Sequence, residues 1–315
     1  MRCLDLFSGI GGIALALRPY VQTVAYCEIE PYCQAVLLER MQSGELDSAP
    51  IWDDVTTLNS EILDTDIDII CGGFPCQDVS VAGRQAGIAE GTRSGLFFHV
   101  MRLVREFRPS FVFLENVSAI CNNGLDVVLK EIAAAGYHAQ WCCLSAAEVG
   151  APHKRNRWWL LAYADGTRLQ RQRIAIRIYS QHASIDSISD HLWPAGKGEQ
   201  HAHEPKRIVA YAKHTRRKPS ATSRGVDQAV HDCEERQNRT SKLTRSSSRR
   251  LPATELAQAG IVSAEFSVES GMGRNADGIP HRTHRIRALG NAVVPQAARK
   301  AFETLMLTQP TEELW

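Results

Sequence analysis

The 315-residue sequence contains no run of about 18 apolar residues, so nothing in it reads as a membrane-spanning helix. It also lacks a secretory signature: the apolar stretch after Met1 meets Asp5, Ser8 and Gly9 before an h-region could form, and a cytoplasmic location is expected. Missing too is any paired C-x2-C spacing. The nine cysteines stand at positions 3, 27, 33, 71, 76, 121, 142, 143 and 233, an odd set that argues against a zinc site and points to reduced thiols. His201-Ala-His203 has no partner cluster and reads as a solvated loop, so no metal is expected. What is present, 44% hydrophobic and 23% charged residues, is the composition of an ordinary globular chain. The length fits about two domains, or one large domain carrying an insertion.

A net charge of +1 hides a strong asymmetry. Residues 1–164 hold 12 Lys+Arg against 19 Asp+Glu, residues 165–255 hold 18 against 10, and residues 256–315 hold 6 of each. A basic segment beside an acidic body is the electrostatic footprint of a phosphate-backbone partner. The same segment has only 13 Leu, Ile, Val and Phe among 91 residues, below the one in five or so that a packed core needs, so a solvated, disordered linker, or a segment that orders only on its partner, is also consistent with it.

Up to residue 164 strand-like and helix-like runs alternate, the pattern of a parallel sheet with helices on both faces. Strands are predicted over 3–7, 21–27, 66–71, 110–115, 138–145 and 158–162, and helices over 12–17, 31–41, 95–107 and 125–135. The fold class is therefore α/β, a doubly wound and mostly parallel sheet with a small irregular second domain. From Asp165 the pattern gives way to Arg, Ser, Thr, Gln and His, and apolar helical spacing returns only in 288–307. A weak echo links 161–168 with 209–216, both reading Ala-Tyr-Ala at their centre, and suggests at most a duplicated hairpin.

Four stations carry chemistry. Leu4-Asp5-Leu6-Phe7-Ser8-Gly9-Ile10-Gly11-Gly12 is a strand entering a glycine turn and a helix, which lets backbone approach a ligand closely. Glu28, about twenty residues on at the end of the second strand, suits the hydroxyls of a nucleoside ribose, and Asp54-Val55 follows a third short strand. Gly72-Gly73-Phe74-Pro75-Cys76-Gln77 sets a cysteine on a loop at a strand end, where its thiolate could act as nucleophile. Phe111 to Val117 delivers Glu115 to the same sheet edge, where burial would raise its pKa and let it donate a proton. Finally, Arg155 and Arg157 stand two apart and on an extended chain would face one way.

Asp-Leu-Phe-Ser-Gly, Pro-Cys-Gln, Glu-Asn-Val, Arg-x-Arg and Gly290-Asn-Ala-Val-Val-Pro295, in this order and spacing, resemble the DNA cytosine-5 methyltransferases of bacterial and phage type. The likeness covers residues 1 to about 162 and about 285 to 300. It divides the chain into a catalytic and cofactor-binding domain at 1–164, a basic target recognition region at 165–284, and a C-terminal segment at 285–315 that returns to the catalytic domain. The family's usual ninth motif is not recognisable in 256–285, which marks the recognition segment as degenerate or as that of a compact, phage-like subgroup.

The resemblance implies S-adenosyl-L-methionine as cofactor, held by Phe7, Ser8, Gly9, Gly11, Gly12, Glu28, Ile29, Asp54, Val55, Pro75, Leu96, Asn291 and Val293. It implies Cys76 as the nucleophile that adds to C6 of a flipped-out cytosine while C5 takes the methyl group. Glu115 would then act at N3, Asn116 would orient the loop holding Cys76, Gln77 would belong to the catalytic set, and Arg157, with Arg155 as second choice, would pair with the base or with Glu115. Residues 77–92 would close over the base. The implied partners are double-stranded DNA and, for a restriction-modification pair, a cognate restriction endonuclease; a monomer and no membrane are expected. Two other readings stand beside this one. RNA (tRNA) cytosine-5 methylation is disfavoured because the Cys-Phe-Thr triplet of that group is absent, and an inactive nucleic-acid-binding remnant is opposed by the intact Cys76, Gln77, Glu115, Asn116 and both arginines.

Overall fold

A computed structural model of the chain describes residues 1–75, 95–167, 169–180, 210–212 and 282–308. Strands β1 (Arg2–Leu6), β2 (Gln22–Cys27), β3 (Ile51–Trp52), β4 (Ile69–Gly73), β5 (Phe111–Val117), β6 (Tyr137–Ser145), β7 (Asn156–Ala164) and β8 (Ala210–Ala212) form one sheet in the order β3-β2-β1-β4-β5-β7-β6-β8. Every pairing from β3 to β5 is parallel, and every pairing beyond β5 is antiparallel. All six expected strands are present, with ends shifted by no more than three residues.

The central strands are mostly apolar because both of their faces are covered. Alternation sends Leu4, Leu6, Ile70, Val112 and Leu114 to one face and Cys3, Ile69, Cys71, Phe111 and Phe113 to the other. Helices α3 (Leu96–Phe107) and α4 (Leu125–Ala134) cover the first face. Helix α1 (Gly12–Leu17) covers the second, while α2 (Pro31–Gln42) packs beside it through Leu37 on a small cluster with Ala14, Tyr26 and Leu46. The doubly wound α/β class follows directly.

Past Asp165 the packed body continues. Residues 169–180 form a helix, α5, whose Ile174 and Ile178 lie one turn apart and are buried in the second-face cluster. The sequence gives little sign of it because only two of its three isoleucines, Ile174 and Ile178, fall on one face, which makes a narrow apolar stripe. Strand β8 joins the free edge of β6, so the two Ala-Tyr-Ala copies flank that strand, with Ala162 and Ala212 both opposite Ala139. The rest of the second copy, and most of the basic segment, lie outside the described residues.

The single apolar run expected over 288–307 is two helices, α6 (Arg282–Asn291) and α7 (Pro295–Leu307). Pro295 lacks an N–H, which suits the first turn of α7 and forces the break before it. Ala298, Phe302 and Leu305 of α7 are fully buried against the second face. Arg171 of α5 donates to the carbonyls of Leu305, Met306 and Thr308, which satisfies the open C-terminal end of α7.

Candidate active site

The parallel strands end at a common edge, and there the chain encloses a cavity of about 540 Å³, within the size range of small-molecule sites. Its first wall is the turn after β1. Phe7, a non-glycine residue, adopts φ 53°, and Gly9 and Gly11 adopt 54° and 82°. Such positive angles are strained for Phe7 and easy for glycine. Glu28, at the end of β2, holds this turn: one carboxylate oxygen accepts from the Gly9 N–H at 2.7 Å, the other from the Glu30 N–H at 2.8 Å. Against the turn lies the stretch between α6 and α7. A Cβ added at Gly12 would stand 2.7 Å from Cγ2 of Val293, so only glycine admits this contact.

The opposite wall comes from β4, β5 and β7. Glu115, near the end of β5, is buried, and the Nε of Arg157 stands 2.7 Å from its Oε1. Burial pushes the Glu115 carboxyl up to about 7, against the opposing pull of Arg157 and Arg155. Gly73 of the neighbouring strand makes room for it, since a Cβ there would lie 2.7 Å from Oε2. Asn116 donates through Nδ2 to the Phe74 carbonyl at 3.1 Å and accepts from the Val117 N–H at 2.8 Å. It thereby pins the backbone just before Pro75 to the end of β5.

Around this one cavity the structure brings Phe7, Ser8, Gly9, Gly12, Glu28 and Ile29 from the expected cofactor set, with Pro75, Leu96, Asn291 and Val293. Glu115, Asn116 and Arg157 from the expected catalytic set line it as well. Cys76 and Gln77, like the rest of the 76–94 stretch, lie outside the described residues. Gly11, Asp54, Val55 and Arg155 are not among the lining residues. Gly11 packs towards Leu37 and Leu46, and Val55 belongs to the first-face core. Asp54 accepts from the Thr56 N–H at 2.8 Å, and hydrogen bonds from Thr56 hold its carboxyl below the usual range.

The two arginines do not face one way. Arg155 precedes β7 with φ 37°, so the two-residue alternation of an extended chain does not reach it. Its guanidinium turns to the carbonyls of Gly290 and Ala292, while Arg157 pairs with Glu115.

Two features of the site were not foreseen. Asp5, in mid-strand, lines the cavity and is 1% exposed. The Ser8 hydroxyl donates to its backbone carbonyl at 2.7 Å, and neither carboxyl oxygen has a hydrogen-bond partner among the described residues. Burial first, then the charge of Glu28, pushes this carboxyl up to about 8, although Ser8 acts in the other direction. The signal was there in an acid placed inside an apolar strand, where either face buries it. The other feature is the contact of α6 with the start of α2: Arg287 pairs with Glu30 at 3.1 Å, and His284 stacks on Tyr32 at 5.7 Å. No local pattern announces a contact between residues more than 250 positions apart.

Among the described residues no three His, Cys, Asp or Glu side chains gather so as to hold a metal ion, and no helix is long and apolar enough to cross a membrane. The family model for C-5 cytosine-specific DNA methylases matches residues 1–291. Among curated proteins, the chain is 39% identical over 162 residues to the type II methyltransferase M.CviJI of Paramecium bursaria Chlorella virus IL3A, covering 51% of this chain and 42% of that protein. It is 35% identical over 175 residues to the type II methyltransferase M.HhaI of Haemophilus parahaemolyticus, covering 54% and 51%. The chain thus spans about half the length of these relatives. A solved structure, the Dnmt2 methyltransferase of S. pombe, superimposes with a TM-score of 0.43 at 23% identity over 52% of this chain and 51% of that one. With the family model matched over nearly the whole sequence, the chain belongs to the C-5 cytosine-specific DNA methylase family.

Proposed function

We propose that the protein methylates C5 of cytosine in double-stranded DNA with S-adenosyl-L-methionine as cofactor. The observation that carries this reading is that one cavity holds both a nucleoside-type end, built on Glu28 and the Gly9 turn, and a buried acid with a cationic partner, Glu115 and Arg157. The cofactor's character fits the residues present. Glu28 retains lone pairs for ribose hydroxyls, Phe7 and Ile29 offer apolar surface to adenine, and the unpartnered Asp5 carboxyl suits a cationic group. When bound, the cofactor supplies an electrophilic methyl group.

Cytosine C5 is a poor nucleophile until the aromaticity of the ring is broken. The Cys76 thiolate adds to C6, a carbon–sulfur bond forms, and electron density moves towards C5 and N3. Glu115, held near neutrality by burial, donates to N3 and limits the charge that develops there. Arg157 fixes the Glu115 carboxyl in place and offers its remaining N–H groups to the base. After C5 has been methylated, a solvent base takes the C5 proton, the carbon–sulfur bond breaks to release the Cys76 thiolate, and N3 returns its proton to Glu115, which restores the ring. Asn116 acts on this sequence through the backbone, because its bond to the Phe74 carbonyl fixes the approach to Pro75 and Cys76.

In this reading the stretch between α5 and α6 supplies DNA recognition, the acting unit is a monomer in the cytoplasm, and a cognate endonuclease would be the natural companion of a restriction-modification member. Expression of the protein with a plasmid, followed by sequencing of methylated positions, tests it. Methyl groups on cytosine C5 within a defined sequence are expected; methylation confined to RNA, or none with the folded protein, would refute it.

A further inference from the structure

We propose that Arg155 is a positioning residue that fastens the 290–292 stretch of the cofactor-side wall to the strand carrying Arg157. The inference rests on the methyltransferase reading and adds a division of labour between the two arginines.

The Nη2 of Arg155 donates to the Gly290 carbonyl at 2.8 Å and also to the Ala292 carbonyl. These lie at the end of α6, where a helix leaves carbonyls unsatisfied and where positive charge is favoured. Ala292 returns its own N–H to the Ala288 carbonyl at 2.9 Å, so the turn out of α6 is closed from both sides. At the other end of the bridge the backbone is equally fixed. The Ala146 N–H donates to the Lys154 carbonyl at 2.8 Å, and β7 pairs Arg157 with Val117 of β5 and with Leu144 of β6. Arg155 sits between these restraints in a left-handed conformation that non-glycine residues seldom adopt. That conformation turns its side chain out of step with Arg157.

The bridged stretch leads into Val293, whose side chain presses on Gly12 of the cofactor turn. A shift of 290–292 would therefore move the wall facing Glu28 and Asp5 without breaking the contact between Glu115 and Arg157. Arg155 acts on the cofactor side of the cavity through the backbone it holds; Arg157 acts on the base side directly.

Arg155→Ala, Arg155→Lys and Arg157→Ala in the full chain separate these roles, with cofactor affinity read by calorimetry in the absence of DNA. Charge-assisted hydrogen bonds of this kind translate into about a 10- to 100-fold loss of affinity for Arg155→Ala. Lysine keeps the charge but not the fork, so Arg155→Lys is expected to regain part of the loss. In turnover assays the Arg155 variants should raise the KM for cofactor, with kcat falling far less than for Arg157→Ala. Wild-type cofactor affinity in Arg155→Ala, or a loss carried by kcat as in Arg157→Ala, overturns the assignment. Should Arg155→Ala not fold, the lysine variant decides: weakened affinity supports the bridge, and unchanged affinity refutes it. A wild-type chain that binds the cofactor yet methylates no DNA would overturn the methyltransferase reading alone.

Discussion

Arg157 and Glu115 meet across the antiparallel boundary of the sheet, Nε to Oε1 at 2.7 Å, on adjacent strands that also carry Asn116 and Trp158 side by side. The pair stands where the parallel half of the sheet ends. Glu115→Gln keeps the shape of the carboxyl but removes its titratable proton. Single-turnover methylation should fall by about 10²- to 10⁴-fold, with cofactor affinity little changed. Equal losses in rate and in cofactor binding would place Glu115 elsewhere in the mechanism.

Asp5 sets stability against binding. Its carboxyl ionises only near pH 8 in the folded chain, against 3.8 ordinarily, so the folded state binds more protons than the unfolded state between those values. Stability contributed by the neutral acid is complete below about pH 4 and is lost as pH rises through about 8. Asp5→Asn should flatten this decline and melt higher than wild type at pH 9, while binding S-adenosyl-L-methionine more weakly. Melting curves from pH 6 to 9 check the first effect, and calorimetry the second. Identical pH slopes for the two proteins would contradict the burial argument.

Phe302 of α7 stacks edge-on against Phe113 of β5 at 5.3 Å and lies 5.6 Å from Tyr20. It is fully buried in the second-face cluster. Phe302→Ala should destabilise the fold by about 3–5 kcal/mol, measured by urea denaturation. A loss below about 1 kcal/mol would make α7 an appendage instead of a part of the core.

The basic stretch 165–255 makes a separate, electrostatic prediction. DNA affinity should fall with salt at a log-log slope of about −0.9 for each phosphate neutralised. Replacing Arg216, Arg217 and Lys218 together should flatten that slope and weaken all sequences about alike. Filter binding at 50 and 200 mM salt with equal affinities would rule out the phosphate contact.

What the sequence revealed, and what it withheld, follows from the range of the interactions involved. Periodicity located β1, β5 and α3 because each is amphipathic or buried over its own length. Glu115, Asn116 and Glu28 were legible because they sit where an apolar run stops at the sheet edge. Arg155 departs from the expected alternation because the strand begins only at Asn156, after a residue in the left-handed region. Asp5, an acid inside an apolar strand, carries a signal in the sequence, but its lack of partners shows only in three dimensions. The Arg287–Glu30 and Arg171–Leu305 contacts join residues far apart in sequence, and no local pattern encodes them.

The central claim is covalent catalysis by Cys76 in a cavity lined by Glu115 and Arg157. Duplex DNA carrying 5-fluorocytosine in the methylated sequence tests it most directly, because fluorine at C5 blocks the proton loss that releases the thiolate. Incubated with S-adenosyl-L-methionine and analysed by intact mass after denaturation, the wild-type chain should appear as a one-to-one adduct with the oligonucleotide. Cys76→Ala should show none, and Cys71→Ala, whose thiol is buried within β4, should still form it. An adduct of undiminished yield with Cys76→Ala would contradict the account.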